Sequence, residues 1–517
     1  ALDAQQTADW PSYNRTLTSE RYAPPSQIDR ASVARLKVLC TYDVGAPGNF
    51  QTGLIQIGDQ LVGTTDTDIF SLDPNTCAEQ WRTREELSRN EGLRVNRGAA
   101  YLDGRLFRGT PDGRVVAYDA KSGKRLWHTT IAIQGLPESV PSAPIAWSGL
   151  VFAGVAGGDS KGVKGRMYAL DAASGKIVWE AYLVPRAASD PTLGPSAAQP
   201  PGIAATWGND PGMPITGGGT WTSYSLDPAT GVLYVPAGNP APDFVSHLRP
   251  GANLFANSVV ALDAKTGAFK THYPMVHGDF HDWDVSSAPA ILTTRQGRKI
   301  VAGTPKDGYL YGFDLASAKQ LYKTPVTTIL NADAPLTTAG TRFCPGTLGG
   351  SEWNGPAFDP TRNLIFTGQV DWCVTVALAP EEEVRRTPTG QAWSGGAREA
   401  AFGKFDPPSN WKGHLRATDA DTGMVKWQFD VPNPVESGVT PTAGGIVLFG
   451  DAGGNLYALD SDSGKVLWSQ KVGGAIGGGV ITYTRQAGQR IAVAAGMSSR
   501  LWPTERVNNT VVILGLP

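Results

Sequence analysis

The sequence predicts an all-β fold, a single β-propeller of about eight blades, and three observations predict it. The first is composition: of 517 residues, 62 are Gly, 38 are Pro and 15 are Trp, while only 18% are charged. That balance suits many short strands and tight turns better than long solvated helices. The second is a recurring phrase: an aromatic or aliphatic residue, Ala, an apolar residue and Asp, then Ala-x-Ser/Thr-Gly-Lys and a Trp. The third is its distribution from Asp73 to Asp460, which makes residues 1–517 one repeated array and one expected domain.

The clearest copies run from Val116-Ala117-Tyr118-Asp119 through Gly123-Lys124 to Trp127, from Tyr168-Ala169-Leu170-Asp171 through Gly175-Lys176 to Trp179, and from Tyr457-Ala458-Leu459-Asp460 through Gly464-Lys465 to Trp468. Weaker copies follow Asp73, which ends at Trp81, then Asp263, Asp314 and Asp419, the last ending at Trp427. Each reads as a hairpin: an alternating strand, a turn opened by Asp and closed by Gly at positive φ, and a second strand beginning at Lys. One such unit cannot bury its own apolar face, and radial stacking around an axis buries the Trp and Leu faces between neighbours. The wider gaps between Asp171 and Asp263 and between Asp314 and Asp419 each hold a variant hairpin, at Asp227-Pro228 and Asp359-Pro360. Each gap is long enough for an extra element, which brings the expected count to about eight.

Several classes of function are disfavoured. A formal charge of −2 without a Lys/Arg block lacks the footprint of a nucleic-acid binder. No apolar run reaches the roughly 18 residues of a membrane span, and no Gly-rich strand-to-helix fingerprint suggests a nicotinamide cofactor. The chain starts Ala1-Leu2-Asp3 without Met, which suggests that a signal peptide has been removed. Cys40, Cys77, Cys344 and Cys373 form no CxxC or CxxCH pattern, so zinc knuckles and covalent c-type haem are disfavoured. Two disulfides and four buried thiols both remain open at this point.

The blade phrase resembles the tryptophan-docking repeat of the quinoprotein alcohol dehydrogenases, which use pyrroloquinoline quinone (PQQ). The resemblance runs from about Trp10-Pro11 to the last blade. Similar blades occur in non-enzymatic outer-membrane assembly scaffolds, so the site motifs must discriminate. Gly217-Gly218-Gly219-Thr220-Trp221 resembles the segment whose Trp floors the cofactor, and a flat tricyclic quinone needs a broad apolar plane. Gly238-Asn239-Pro240 is similar to the turn whose Asn oxygen binds calcium, a metal that prefers six to eight oxygen ligands. Asp282-Trp283-Asp284 resembles the segment carrying the general base, implied here at Asp284, and Thr304-Pro305-Lys306-Asp307-Gly308 resembles the strand whose cation contacts the quinone oxygens, implied at Lys306. Val95-Asn96-Arg97-Gly98 matches the segment whose Arg pairs with a cofactor carboxylate. The same alignment puts Gln51, Gly157, Gly158, Glu352 and Trp353 among the cofactor contacts. It also implies a disulfide between Cys344 and Cys373, which leaves Cys40 and Cys77 for a second, weaker pairing.

Three departures stand out. Glu91-Gly92 replaces the adjacent cysteines that roof the quinone in the family. Ser160 aligns with the family's metal-binding Glu, so the neighbouring Asp159 is expected to take the metal beside Asn239 and Asp284. Glu352-Trp353 replaces an Asn-Trp pair and brings a carboxylate towards the cofactor. Lanthanide-using relatives carry an Asp two residues past the base, and here Ser286 occupies that position, so calcium is the expected metal. The resemblance implies periplasmic oxidation of a small or polymeric alcohol to an aldehyde or ketone, with electrons leaving to an external acceptor such as a c-type cytochrome. The competing readings are a cofactor-free scaffold that binds proteins, and a quinoprotein acting on an aldehyde hydrate or a sugar.

Overall fold

The computed structural model describes residues 9–88 and 92–517. Among these are eight four-stranded antiparallel sheets in sequence order. The first holds Ile55–Ile57, Gln60–Thr64, Asp68–Leu72 and Glu79–Arg84, and the third holds Ile145–Trp147, Leu150–Gly154, Arg166–Asp171 and Ile177–Tyr182. In the first blade the first strand, Ile55–Ile57, is buried and the fourth, Glu79–Arg84, lies at the surface, whereas in the third blade the fourth strand, Ile177–Tyr182, is mostly buried as well. First strands of successive sheets touch, from Ser225–Asp227 through Ala290–Thr293, Pro356–Asp359 and Thr440–Pro441 to Val480–Arg485. Apolar faces meet between blades: Phe152 and Met167 of the third sheet share a cluster with Leu226 and Leu233 of the fourth. This is a β-propeller.

The repeated phrase forms the hairpin between the third and fourth strands of each of the first seven blades. In the second blade Asp119 accepts hydrogen bonds from the Ser122 amide (2.8 Å) and hydroxyl (2.6 Å), and Gly123 closes the turn at φ 68°. The Gly also receives the indole of the preceding blade. A β-carbon on Gly123 would lie 2.4 Å from Trp81, one on Gly175 2.6 Å from Trp127, and one on Gly267 2.7 Å from Trp179. Trp127 and Trp179 then donate Nε1–H to the carbonyls of Ala172 and Ala264, at 3.2 and 3.0 Å. Each Trp therefore fastens its own blade to the next one. The fifth hairpin departs from the pattern: Thr271 stands where the fourth blade would carry Trp, and the turn closes with Ala318 at φ 55°.

The blade count agrees with the expectation, but its composition differs. The Asp227-Pro228 and Asp359-Pro360 turns join the first two strands of blades four and six and form no extra blade. The eighth sheet combines Val480–Arg485, Gly488–Ala495 and Asn509–Gly515 with Lys37–Gly45 from the other end of the chain, Tyr42 lying opposite Val511. That pairing closes the ring and covers a sheet edge that would otherwise be exposed. The cysteines pair as Cys40–Cys77 and Cys344–Cys373. The insertion after Asp371 contributes a short helix, Glu381–Arg386, and the strands Val374–Val376 and Lys404–Phe405, which form a three-stranded sheet with Thr341–Phe343 from the connection between blades five and six.

Candidate active site

The loops at one end of the blades enclose a cavity of about 270 Å³. Its floor is Trp221, on the segment that follows Gly217-Gly218-Gly219. The triple glycine is a packing requirement: a β-carbon on Gly219 would meet the Gly158 amide nitrogen at 3.0 Å, and one on Gly165 would meet the Gly218 carbonyl oxygen at 1.6 Å. Gly157 and Gly158 thus lie against the floor strand, and the cavity opens over them. The Arg97 guanidinium carbon stands 4.8 Å from the Trp221 ring centroid and 5.0 Å from that of Trp353, while Lys306 Nζ is 5.2 Å from the Trp221 centroid.

Arg97 donates to the Trp221 carbonyl at 2.7 Å, and its buried Nε–H has no partner among the described residues. Burial lowers its basicity to about 10, which leaves it cationic at neutral pH. Gln51 donates to Asn49 at 2.7 Å, and its buried Oε1 has no hydrogen-bond partner among the described residues. Trp353 is locked by its Nε1–H to the Gly477 carbonyl at 2.7 Å. Beside it, burial pushes the Glu352 carboxyl up to about 7 against the opposing pull of Lys306, and its Oε1 is also without a partner.

On the other side of the floor, Lys306 Nζ lies 2.7 Å from Asp284 Oδ2 and 3.6 Å from Asp282 Oδ2. The Lys306 amide donates to the Asp284 carbonyl at 3.0 Å, so backbone and side chain hold the pair together. Asp284 Oδ1 accepts the Asn239 amide at 3.0 Å. The His281 ring stacks on Trp283 at 4.0 Å, and Trp283 Nε1–H reaches the Pro345 carbonyl at 3.1 Å, anchoring the segment between the two aspartates. Asp159 borders the same space, whereas Ser160 does not line the cavity. Asp159, Asp243 and Asp282 each place a carboxylate oxygen within 4.8 Å of the others. Burial, reinforced by the surrounding carboxylates, pushes Asp159 up to about 6 and both Asp243 and Asp282 well above the usual range. Crowded buried carboxylates of this kind are stabilised by a bound cation.

All eleven expected site residues line this one cavity. Sequence reasoning missed Asp282, whose Asp-Trp-Asp motif was quoted for its second carboxylate only, and Asp243, which lies four residues after Asn239. It also missed the apolar wall of Leu93, Leu348, Phe402, Phe405, Leu501 and Trp502, drawn from loops with no periodic pattern. Of the roof position, Glu91 lies outside the described residues. Gly92 is inside, with φ 100°, and Leu93 faces the cavity.

A family model described as the glucose/ethanol/alcohol dehydrogenase β-propeller domain, a PQQ domain, matches residues 10–335. The chain belongs to the PQQ-dependent alcohol dehydrogenase family. Within it, the dehydrogenase subunit of a quinone alcohol dehydrogenase from Gluconobacter oxydans (strain 621H) is 30% identical over 557 residues, covering 94% of this chain and 70% of that protein. The quinohemoprotein alcohol dehydrogenase of Comamonas testosteroni is 29% identical, covering 96% of this chain and 73% of that one. Its crystal structure has the same fold, with a TM-score of 0.87 over 99% of this chain and 81% of that chain at 24% identity. A lanthanide-dependent methanol dehydrogenase from Methylacidiphilum fumariolicum (strain SolV) is 27% identical over 95% of this chain and 85% of its own length. A second family model, outer membrane protein assembly factor BamB, matches residues 411–514, which span the last two blades and part of the sixth. In this PQQ-dependent alcohol dehydrogenase family member, the stretch matched by the PQQ model contains Trp221, Asn239, Asp284 and Lys306, and the last blades carry a plainer propeller repeat.

Proposed function

We propose that this protein oxidises an alcohol to an aldehyde or ketone, with PQQ held over Trp221 and a hard cation held beside Asp284. The observation that carries this reading is the Lys306–Asp284 pair, a buried base and cation 2.7 Å apart above an indole floor. A scaffold has no use for a buried carboxylate and ammonium that line a cavity, and burying such a pair costs stability.

The residues fit the cofactor. Trp221 offers the stacking plane, Arg97 a cation with an unused N–H, and Gln51 a free acceptor. Asn239, Asp159 and Asp284 would hold the metal, which the Ser286 position taken alone reads as calcium. When bound, the quinone would supply a two-electron acceptor for the alcohol and the cation a Lewis acid beside it. Asp284 takes the hydroxyl proton, as a positioned base within reach of a substrate entering past Leu348 and Phe405. Lys306 keeps that carboxylate oriented and adds positive charge beside the acceptor. The Asn239 amide fixes the other carboxylate oxygen, so only a small rotation is open to the base. Electrons leave to an external acceptor such as a c-type cytochrome, and two disulfides support a periplasmic setting. An aldehyde hydrate or a sugar would meet the same base and floor.

The test is reconstitution. Metal-free protein given PQQ and a hard cation together should catalyse dye-linked alcohol oxidation, and NAD should support none. Full activity with PQQ and excess chelator would remove the metal from the reading, and failure to retain PQQ would remove the reading itself.

A further inference from the structure

We propose that Asp243 and Asp282 are metal ligands alongside Asn239, Asp159 and Asp284, and that this four-carboxylate cradle selects a trivalent hard cation over calcium. The inference rests on the reading above, in which a cation stands beside the quinone, and names the class of that ion.

Geometry comes first. Oxygens of Asp159, Asp243 and Asp282 lie within 4.8 Å of one another. Three such atoms have a common point within about 2.8 Å of each, close to the roughly 2.3–2.6 Å of hard cation–oxygen bonds. The second observation is an orphan. Asp243 is fully buried; its Oδ1 accepts the Asn239 side-chain amide at 3.0 Å, while its Oδ2 has no hydrogen-bond partner among the described residues. A buried acceptor without a donor is costly, and a cation removes that cost.

A buried guanidinium stands next to this loop and does not satisfy the orphan. Arg249 donates instead to the carbonyls of Pro242, Asp243 and Asp279, at 3.0, 2.9 and 2.8 Å, and to Asn253 Oδ1 at 2.9 Å. It ties the Asp243 backbone to the segment leading into Asp282 and leaves the Asp243 carboxylate to another partner.

Charge then decides the ion. Asp159, Asp243, Asp282 and Asp284, with the neighbouring Asp279, face the two buried cations Lys306 and Arg249, and five carboxylates against two cations leave three negative charges, which a trivalent ion balances and a divalent ion does not. Ligand charge is a main determinant of cation affinity in oxygen sites, and uncompensated buried charge is destabilising. Ser286, which argues for calcium by position, donates its hydroxyl to the Ser351 carbonyl at 2.5 Å. The extra carboxylates enter from the Asn239 loop and from the residue before Trp283 instead.

The experiment uses chelated, metal-free protein titrated with terbium(III), followed by its indole-sensitised luminescence, with calcium(II) as competitor. Bound metal per chain is counted by mass spectrometry. One terbium per chain is expected, held at least about 100-fold more tightly than calcium, with Asp243→Asn and Asp282→Asn each cutting that preference by about tenfold or more. Calcium displacing terbium at comparable concentrations would overturn the proposal, as would unchanged terbium affinity in both variants. Should Asp243→Asn fail to fold by circular dichroism, Asp282→Asn alone decides. PQQ retention is measured separately by absorbance. Quinone retained with calcium and no trivalent preference sinks the cradle and spares the quinone reading. A trivalent preference lost in the variants, with no quinone retained by the wild type, does the reverse.

Discussion

A β-carbon placed on Gly238 would lie 2.4 Å from Oδ1 of Asp284. The missing side chain at one residue is what lets the carboxylate of the other reach the Asn239 amide, 45 residues away in sequence. In the proposed reading the Gly-Asn turn therefore serves the base as well as the metal. Gly238→Ala should push the carboxylate off its position and lower alcohol turnover by about 10²-fold, since displacements near 1 Å cost that much. The measurement is kcat with an artificial electron acceptor, alongside melting temperature. A near wild-type rate would show that the position of Asp284 is not limiting.

Asp284→Asn and Trp221→Ala should separate chemistry from binding. An amide at 284 keeps the shape and accepts no proton, so turnover should fall by about 10² to 10⁴ with quinone still bound. Trp221→Ala removes the floor and should lose quinone first. Absorbance of bound quinone and dye-linked oxidation, run on the same folded preparations, distinguish the two. If Asp284→Asn turns over normally with quinone bound, Glu352 becomes the base to test.

The Glu352 carboxyl, raised to about 7 in the folded chain from an ordinary value of 4.5, gives a signed pH dependence. Between those values the native state holds a proton that the unfolded chain has released. Its contribution to stability is present below the lower value and is lost as pH rises towards the upper one. Metal-free, quinone-free protein should therefore melt at lower temperature as pH climbs through this window, and Glu352→Gln should flatten part of the slope. Asp307, which burial also raises to about 7, and the raised carboxyls of Asp159, Asp243 and Asp282 sustain the remainder. A melting curve series whose slope is unchanged in Glu352→Gln would show that the carboxyl does not titrate in this range.

The blade fasteners make opposite predictions at two equivalent turns. Gly175→Ala places a methyl 2.6 Å from Trp127 at φ 73°, and should cost about 2–4 kcal/mol. Ala318→Gly relieves a left-handed alanine at φ 55° where no indole docks, and should stabilise by about 1 kcal/mol. Denaturant midpoints of the two variants test the assignment. A destabilised Ala318→Gly would mean that the methyl packs usefully in place of the absent ring.

Much of this was legible in the chain. The Asp-to-Gly turns repeat because each needs a side-chain oxygen for its amides and a residue free to adopt positive φ, and such local demands leave a signature. The Trp221 floor and the Asp284–Lys306 pair were legible through motifs whose residues are close in sequence. The placement of Asp243 was not, because it depends on Arg249 drawing two distant backbone segments together, and no local spacing encodes that. The apolar wall was equally opaque: Phe402 and Phe405 reach the cavity from an insertion braced by its own small sheet and by the Cys344–Cys373 bond. The blade count agreed although the variant hairpins were misassigned, because the closing blade borrows a strand from the opposite end of the chain.

That borrowed strand sets an order of events in the life of the molecule. Lys37–Gly45 finds its partner only when Asn509–Gly515 has been made, and the cavity wall draws on residues from Asn49 to Trp502. A partly synthesised chain thus has neither a closed ring nor a complete pocket. On the proposed reading, loading of metal and quinone becomes a late step, available to finished chains and withheld from fragments.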